Sequence, residues 1–179
     1  MNVKKTDIEG LLVIEPKIFT DDRGYFFESF NAQRYALPDA REFVQDNEAK
    51  SDKGVLRGLH FQIGDYAQGK LVRVIKGAVY DVAADVRKGS PTFGLWYGIL
   101  LSGENKKQLW VPRGFAHGYL VLENETIFSY KCDNYYNKAA EQGVRFDDPE
   151  ISISWPDIGI TFLVSQKDRA LGSLSSLEL

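Results

Sequence analysis

From Gly54 onward the chain is cut into short segments of β-type composition, closed by glycine, proline or asparagine turns, and no long stretch repeats at the helical period. Residues 70–75 end at a Lys76-Gly77 turn, and residues 78–86 follow. In that second segment Tyr80, Val82, Ala84 and Val86 share one face, while Asp81 and Asp85 fall on the other. Further strands are predicted over 93–101 and 107–111. Residues 117–123 and 126–132 are expected to form a hairpin about Glu123-Asn124, and 151–155 a last alternating strand stopped by Pro156. Upstream, residues 11–16 suit an edge strand closed by Pro16, and Asp21-Asp22-Arg23-Gly24 is a turn leading into a strand over 25–30. Residues 31–35 can open a short helix capped by Asn31, and 43–47 resume an extended course. Many short strands at this spacing predict an all-β sandwich or barrel, most simply a jelly roll.

The 179 residues suffice for one domain, 1–179, with a substantial core. An apolar share of 44% identifies a globular chain, and a formal charge of −3 argues against a nucleic-acid partner held through phosphates. No apolar run approaches the ~20 residues of a membrane span, and Met1-Asn2-Val3-Lys4-Lys5-Thr6-Asp7 has no apolar block behind its lysines. The lone Cys132 excludes an intramolecular disulfide and any multi-thiolate metal site. A cytoplasmic protein is the expectation.

Only two histidines occur, and each lies in a glycine-flanked, apolar segment: His60 in Val55-Leu56-Arg57-Gly58-Leu59-His60-Phe61-Gln62, and His117 in Val111-Pro112-Arg113-Gly114-Phe115-Ala116-His117-Gly118-Tyr119. Histidine titrates near neutrality and suits proton transfer, although a satisfied core histidine reads equally well from residue type alone.

Pro112-x-Gly114-x-x-His117 resembles the second motif of cupin barrels. The first cupin motif offers two histidines, but here that slot reads His60-Phe61-Gln62, which leaves too few ligands for a catalytic metal, so none is expected. The resemblance narrows over five blocks in order: 57–62, 68–73, 90–94, 108–112 and 114–118. Together they are similar to the dTDP-4-dehydrorhamnose 3,5-epimerase family, over about residues 14–168. That resemblance implies a cupin-type jelly-roll barrel with a short C-terminal helical tail. It also implies a dTDP-4-keto-6-deoxy sugar substrate, no cofactor, and a homodimer whose N-terminal strands pair with the partner's sheet.

The family inverts C3 and C5 beside a C4 ketone through enolates. The chemistry calls for a base, a group that steadies the enolate oxygen, and a proton donor on the opposite face. By resemblance His60 is the base, Asp168 its orienting carboxylate, Lys70 the enolate partner and Tyr130 the acid. Taken without the resemblance, Lys70 reads as a solvated strand-start lysine, Tyr130 as a core aromatic and Asp168 as a surface acid. His117 is expected to line the pocket, with Asp81 facing the interior. The family pattern assigns the nucleotide to Arg23, Glu28, Gln45, Asn47, Arg57, Glu141 and Lys167, with Tyr136 stacking on the base and Phe26 or Phe19 opposite.

Strict alternation sets Arg57 and His60 on opposite faces, so both reach one pocket only if Gly58 hosts a bulge. Two other functions fit the same residues: inversion at one carbon only, and a non-catalytic cupin that binds a sugar nucleotide.

Overall fold

A computed structural model describes residues 1–178. The strands of the first half are β1 (Asn2–Lys5), β2 (Leu12–Glu15), β3 (Phe19–Asp21), β4 (Gly24–Phe26), β5 (Gln45–Ser51), β6 (Val55–Gln62) and β7 (Lys70–Lys76). Then come β8 (Ala78–Asp85), β9 (Trp96–Ser102), β10 (Gln108–Val111), β11 (Phe115–Val121), β12 (Thr126–Cys132), β13 (Glu141–Gly143) and β14 (Leu163–Val164), and finally one helical turn, α1 (Gln166–Arg169). Two sheets face each other, one ordered β1-β2-β10-β7-β12-β5 and the other β13-β6-β11-β8-β9 with β14 beside β6; β3 and β4 form a separate ribbon. This is the expected all-β jelly roll, and α1 begins its short helical tail.

Period-two alternation builds three apolar layers. Val13, Val72, Val74, Leu109, Val111 and Phe128 of one sheet meet Val79, Ala83, Phe115, Tyr119 and Val121 of the other in the barrel interior. Leu12, Ile14, Leu71 and Trp110 point outward beneath Phe30, Tyr35 and Phe43. On the second sheet Leu59, Phe61, Val82, Ala84 and Val86 point outward beneath Val144, Ile151 and Leu174. The predicted split of β8 holds: Asp81 lies on the interior side.

Several expectations are corrected. Residues 117–123 and 126–132 do not form a hairpin. β11 pairs with β6 and β8, whereas β12 pairs with β5 and β7, so the turn between them carries the chain from one sheet to the other. A jelly roll buries the two strands face to face across the core, where turn chemistry looks the same as in a hairpin. β2 is not an edge strand, because β1 covers one side and β10 the other. Residues 151–155 alternate in burial without joining a ladder. Their periodicity comes from side-chain packing, with Ile151 against the outer layer and Trp155 Nε1 donating to Phe146 O at 2.8 Å. The strand expected over 25–30 ends at Phe26. Asn31 caps a turn rather than a helix, its Oδ1 accepting from Gln33 N at 3.0 Å; Pro38 disfavours helix at the residue before it. No helix among the described residues is long and apolar enough to cross a membrane.

Candidate active site

The interior faces of the two sheets part at one end into a cleft of about 650 Å3, closed on one side by β14 and α1. Its lining includes His60 from β6, Lys70 from β7, His117 from β11, Tyr130 from β12, and Lys167 and Asp168 from α1. Asn47 and Arg57 share that lining. An adjoining pocket that shares Asn47, His60, Lys70 and Tyr130 adds Gln45, Tyr136 and Glu141.

Arg57 and His60 both reach the cleft because β6 is irregular. His117 pairs with His60, and Tyr119 pairs with Arg57, so two steps along β11 match three along β6. The extra residue falls at Gly58, whose φ of +111° lies where side-chain-bearing residues rarely go. A Cβ there would stand 2.6 Å from Gly118 Cα and 2.7 Å from His117 O, so the close approach of β6 and β11 also requires glycine.

His60 Nε2 lies 2.8 Å from Asp168 Oδ1. The other carboxylate oxygen accepts from Gly58 N at 3.2 Å, and Ser165 Oγ caps α1 by accepting from Asp168 N at 3.0 Å. Burial pushes the Asp168 carboxyl up, but the hydrogen bonds and charge of His60, with help from Gly58 and Ser165, outweigh it and hold the group below its ordinary value. The carboxylate is therefore ionised where His60 needs it. It occupies Nε2 and leaves Nδ1 as the second ring nitrogen.

His117 carries a matching partner: its Nε2 lies 3.0 Å from both carboxylate oxygens of the fully buried Asp81. Lys70 Nζ donates to His60 O at 3.4 Å. Burial lowers the Lys70 pKa against the opposing pull of Cys132, Glu141 and Asp81. Burial raises that of Tyr130, so its phenol stays a donor. Glu141 accepts from Lys167 Nζ at 2.6 Å and from the Tyr136 hydroxyl at 2.9 Å, and these bonds overcome the upward push of burial to hold its carboxyl low.

Two expected residues lie elsewhere. Arg23 sits on the β3–β4 ribbon paired with Asp21, and Glu28 accepts from Asn31 Nδ2 at 2.9 Å on the outside of the barrel. Phe19 and Phe26, expected opposite Tyr136, are exposed on the same ribbon. Gln62, the residue in the second cupin-histidine slot, is spent on backbone: it donates to Tyr66 O and Tyr135 O and accepts from Asn137 N. Among the described residues no group of three or more His, Cys, Asp or Glu side chains is placed to hold a metal ion.

Glu48, Ala49, Gly118, Tyr119 and Ser165 also line the cleft and were not singled out from sequence. Alternation from His117 gave the signal for Tyr119, and alternation from Asn47 gave it for Ala49. Nothing local announced Ser165, whose place depends on where the C-terminal segment folds back.

The model of the family described as dTDP-4-dehydrorhamnose 3,5-epimerase matches residues 5–176. The chain is 51% identical to the dTDP-4-dehydrorhamnose 3,5-epimerase of Escherichia coli K12, over 99% of this chain and 96% of that one. It superposes with a TM-score of 0.94 on dTDP-6-deoxy-D-glucose-3,5-epimerase of Legionella pneumophila, solved with dTDP-4-keto-L-rhamnose, at 50% identity and covering 99% and 94% of the two chains. It is also similar to ChmJ, a 3'-monoepimerase of Streptomyces bikiniensis solved with dTDP-quinovose, at TM-score 0.89 and 33% identity, covering 96% and 87%. The chain belongs to the dTDP-4-dehydrorhamnose 3,5-epimerase family.

Proposed function

We propose that this chain is a dTDP-4-dehydrorhamnose 3,5-epimerase, inverting C3 and C5 of dTDP-4-keto-6-deoxyglucose in a single domain, 1–179, in the cytoplasm. The observation that carries the reading is the convergence of His60, Lys70, Tyr130 and Asp168 on one cleft, with His60 and Asp168 2.8 Å apart. His60 takes the proton from the carbon beside the ketone, and the ionised Asp168 stabilises the resulting imidazolium. Lys70, and His117 held by Asp81, face the oxygen on which the enolate charge develops. Tyr130 returns a proton from the other side, and the configuration inverts. The phenolate then recovers its proton from solvent and His60 releases its own, so neither step consumes a cofactor.

Asn47, Arg57 and Lys167 in the cleft, with Gln45, Tyr136 and Glu141 beside it, supply the polar and aromatic groups a nucleoside diphosphate needs. Neither Arg23 nor Glu28 lines the cleft of its own chain. The ribbon that carries Arg23 exposes Phe19, Tyr25 and Phe26 together, an apolar patch of the kind that marks an interface. In this reading the chain forms a homodimer, and the ribbon region delivers Arg23 and Glu28 to the partner's cleft.

The test is proton NMR of the dTDP-4-keto sugar in D2O with wild type and His60→Ala. The reading expects deuterium at both C3 and C5, lost in the variant. The likeness to a 3'-monoepimerase supports a second reading, because one base, one lysine and one phenol also suffice for one carbon. Exchange at C3 alone would select it, and binding with no exchange would select a non-catalytic cupin.

A further inference from the structure

Two tyrosines, not one, bring a phenol to the cleft. Tyr130 stands on β12; Tyr119 stands on β11, two residues beyond His117 and so on the same inward face. Only 5% of Tyr119 is exposed, and its ring stacks on Phe128 with centroids 4.0 Å apart and planes 21° from parallel. That stack accounts for the ring, and a phenylalanine would make it equally well. It leaves the hydroxyl unexplained. No hydrogen bond to another described residue engages the Tyr119 Oη, and it is not among the walled-off unpartnered side-chain atoms, which belong to Gln108, Trp110 and Arg113. The hydroxyl therefore opens to the cleft, where water satisfies it in the free protein and a bound ligand can take its hydrogen bond.

The neighbour of Tyr119 indicates which ligand atom its hydroxyl meets. Arg57 is the ladder partner of Tyr119 and lines the same cleft, and its one side-chain hydrogen bond among the described residues is from Nη2 to Ser51 Oγ at 3.2 Å. A guanidinium beside a neutral phenol makes a paired donor site for an anionic oxygen. Burial raises the pKa of Tyr119, against a smaller lowering by Arg57, so the phenol keeps its proton and donates at neutral pH.

We propose that Tyr119 is a substrate-contacting residue whose hydroxyl donates a hydrogen bond to a diphosphate oxygen of the bound nucleotide sugar, beside Arg57. The inference rests on the nucleotide-sugar reading above and assigns a contact within it.

The test is Tyr119→Phe, which preserves the Phe128 stack, with dTDP binding measured by calorimetry alongside turnover. The proposal expects dTDP to bind about tenfold more weakly or worse, the loss of one charge-assisted hydrogen bond. KM should rise by a similar factor, kcat should stay within about twofold, and the melting temperature should not move. Unchanged dTDP affinity, whether or not turnover falls, overturns it. Because dTDP binding needs no chemistry, wild type that binds dTDP without exchanging deuterium overturns the epimerase reading and leaves the Tyr119 contact decided by the variant. Wild type that does not bind dTDP overturns both.

Discussion

Arg57 and His60 turn toward the same cleft although three positions separate them on β6, and the bulge at Gly58 makes this possible. The same glycine donates its N–H to Asp168, so one backbone irregularity aligns an arginine, a histidine and the carboxylate behind it. Gly58→Ala must fit a Cβ 2.6 Å from Gly118 Cα at a φ of +111°. It is expected to lose about 3 kcal/mol of stability or more in chemical denaturation, from overpacking and left-handed strain together. A loss under ~0.5 kcal/mol would mean that the two strands can part without cost.

Asp168→Asn keeps the shape of the His60 contact and removes its charge. Turnover should fall by about 10²–10⁴, as expected when a histidine base loses the carboxylate that sets its tautomer and stabilises its cation. Deuterium incorporation into the 4-keto sugar should fall in step with it. If the variant keeps more than about half of wild-type activity, Asp168 is not the orienting group.

The alkaline limb of the pH profile separates Lys70 from Tyr130. Burial lowers the pKa of the lysine and raises that of the tyrosine, so as pH rises the lysine loses its charge first. kcat/KM should therefore begin to fall below about pH 10.4, the ordinary lysine value. Lys70→Arg, whose guanidinium stays charged, should be slower but should lack that limb. An identical limb in the variant would point to another group.

Acid stability should report Asp85. Although burial pushes its carboxyl up, Arg87, Ser90 and Thr92 bond to it and bring it down to about 2. A depressed folded-state pKa gives stability that is present above the unfolded value, near 4, and lost as pH falls toward 2; the amount is about 2 kcal/mol. Denaturation midpoints of wild type should drop across that window, and those of Asp85→Asn should drop less while starting lower. Parallel curves would show that the cluster does not stabilise the fold.

The β architecture was legible because period-two burial is a local property. The interior face of β8 and the strand around each histidine follow from alternation alone. That His60, Lys70, Tyr130 and Asp168 meet in one cleft was also legible, through motif resemblance. What failed was connectivity: whether 117–123 and 126–132 pair edge to edge or face to face depends on which sheet each strand joins, and the turn between them is compatible with both. Residues 151–155 alternate because they pack on a sheet, a contact that reads in sequence like membership of one.

The sequence by itself determined the side chains, their inward or outward sense along each regular strand, and the family that combines them. Only the tertiary structure decided that Arg57 joins His60, because a bulge shifts the alternation by one residue and its position depends on the register with β11. Only the tertiary structure brought Asp168 to His60, 108 residues apart in sequence, and it alone set Arg23 and Glu28 outside their own cleft. Alternation is fixed by backbone geometry within a few residues, whereas these placements are fixed by packing between segments that no local pattern relates.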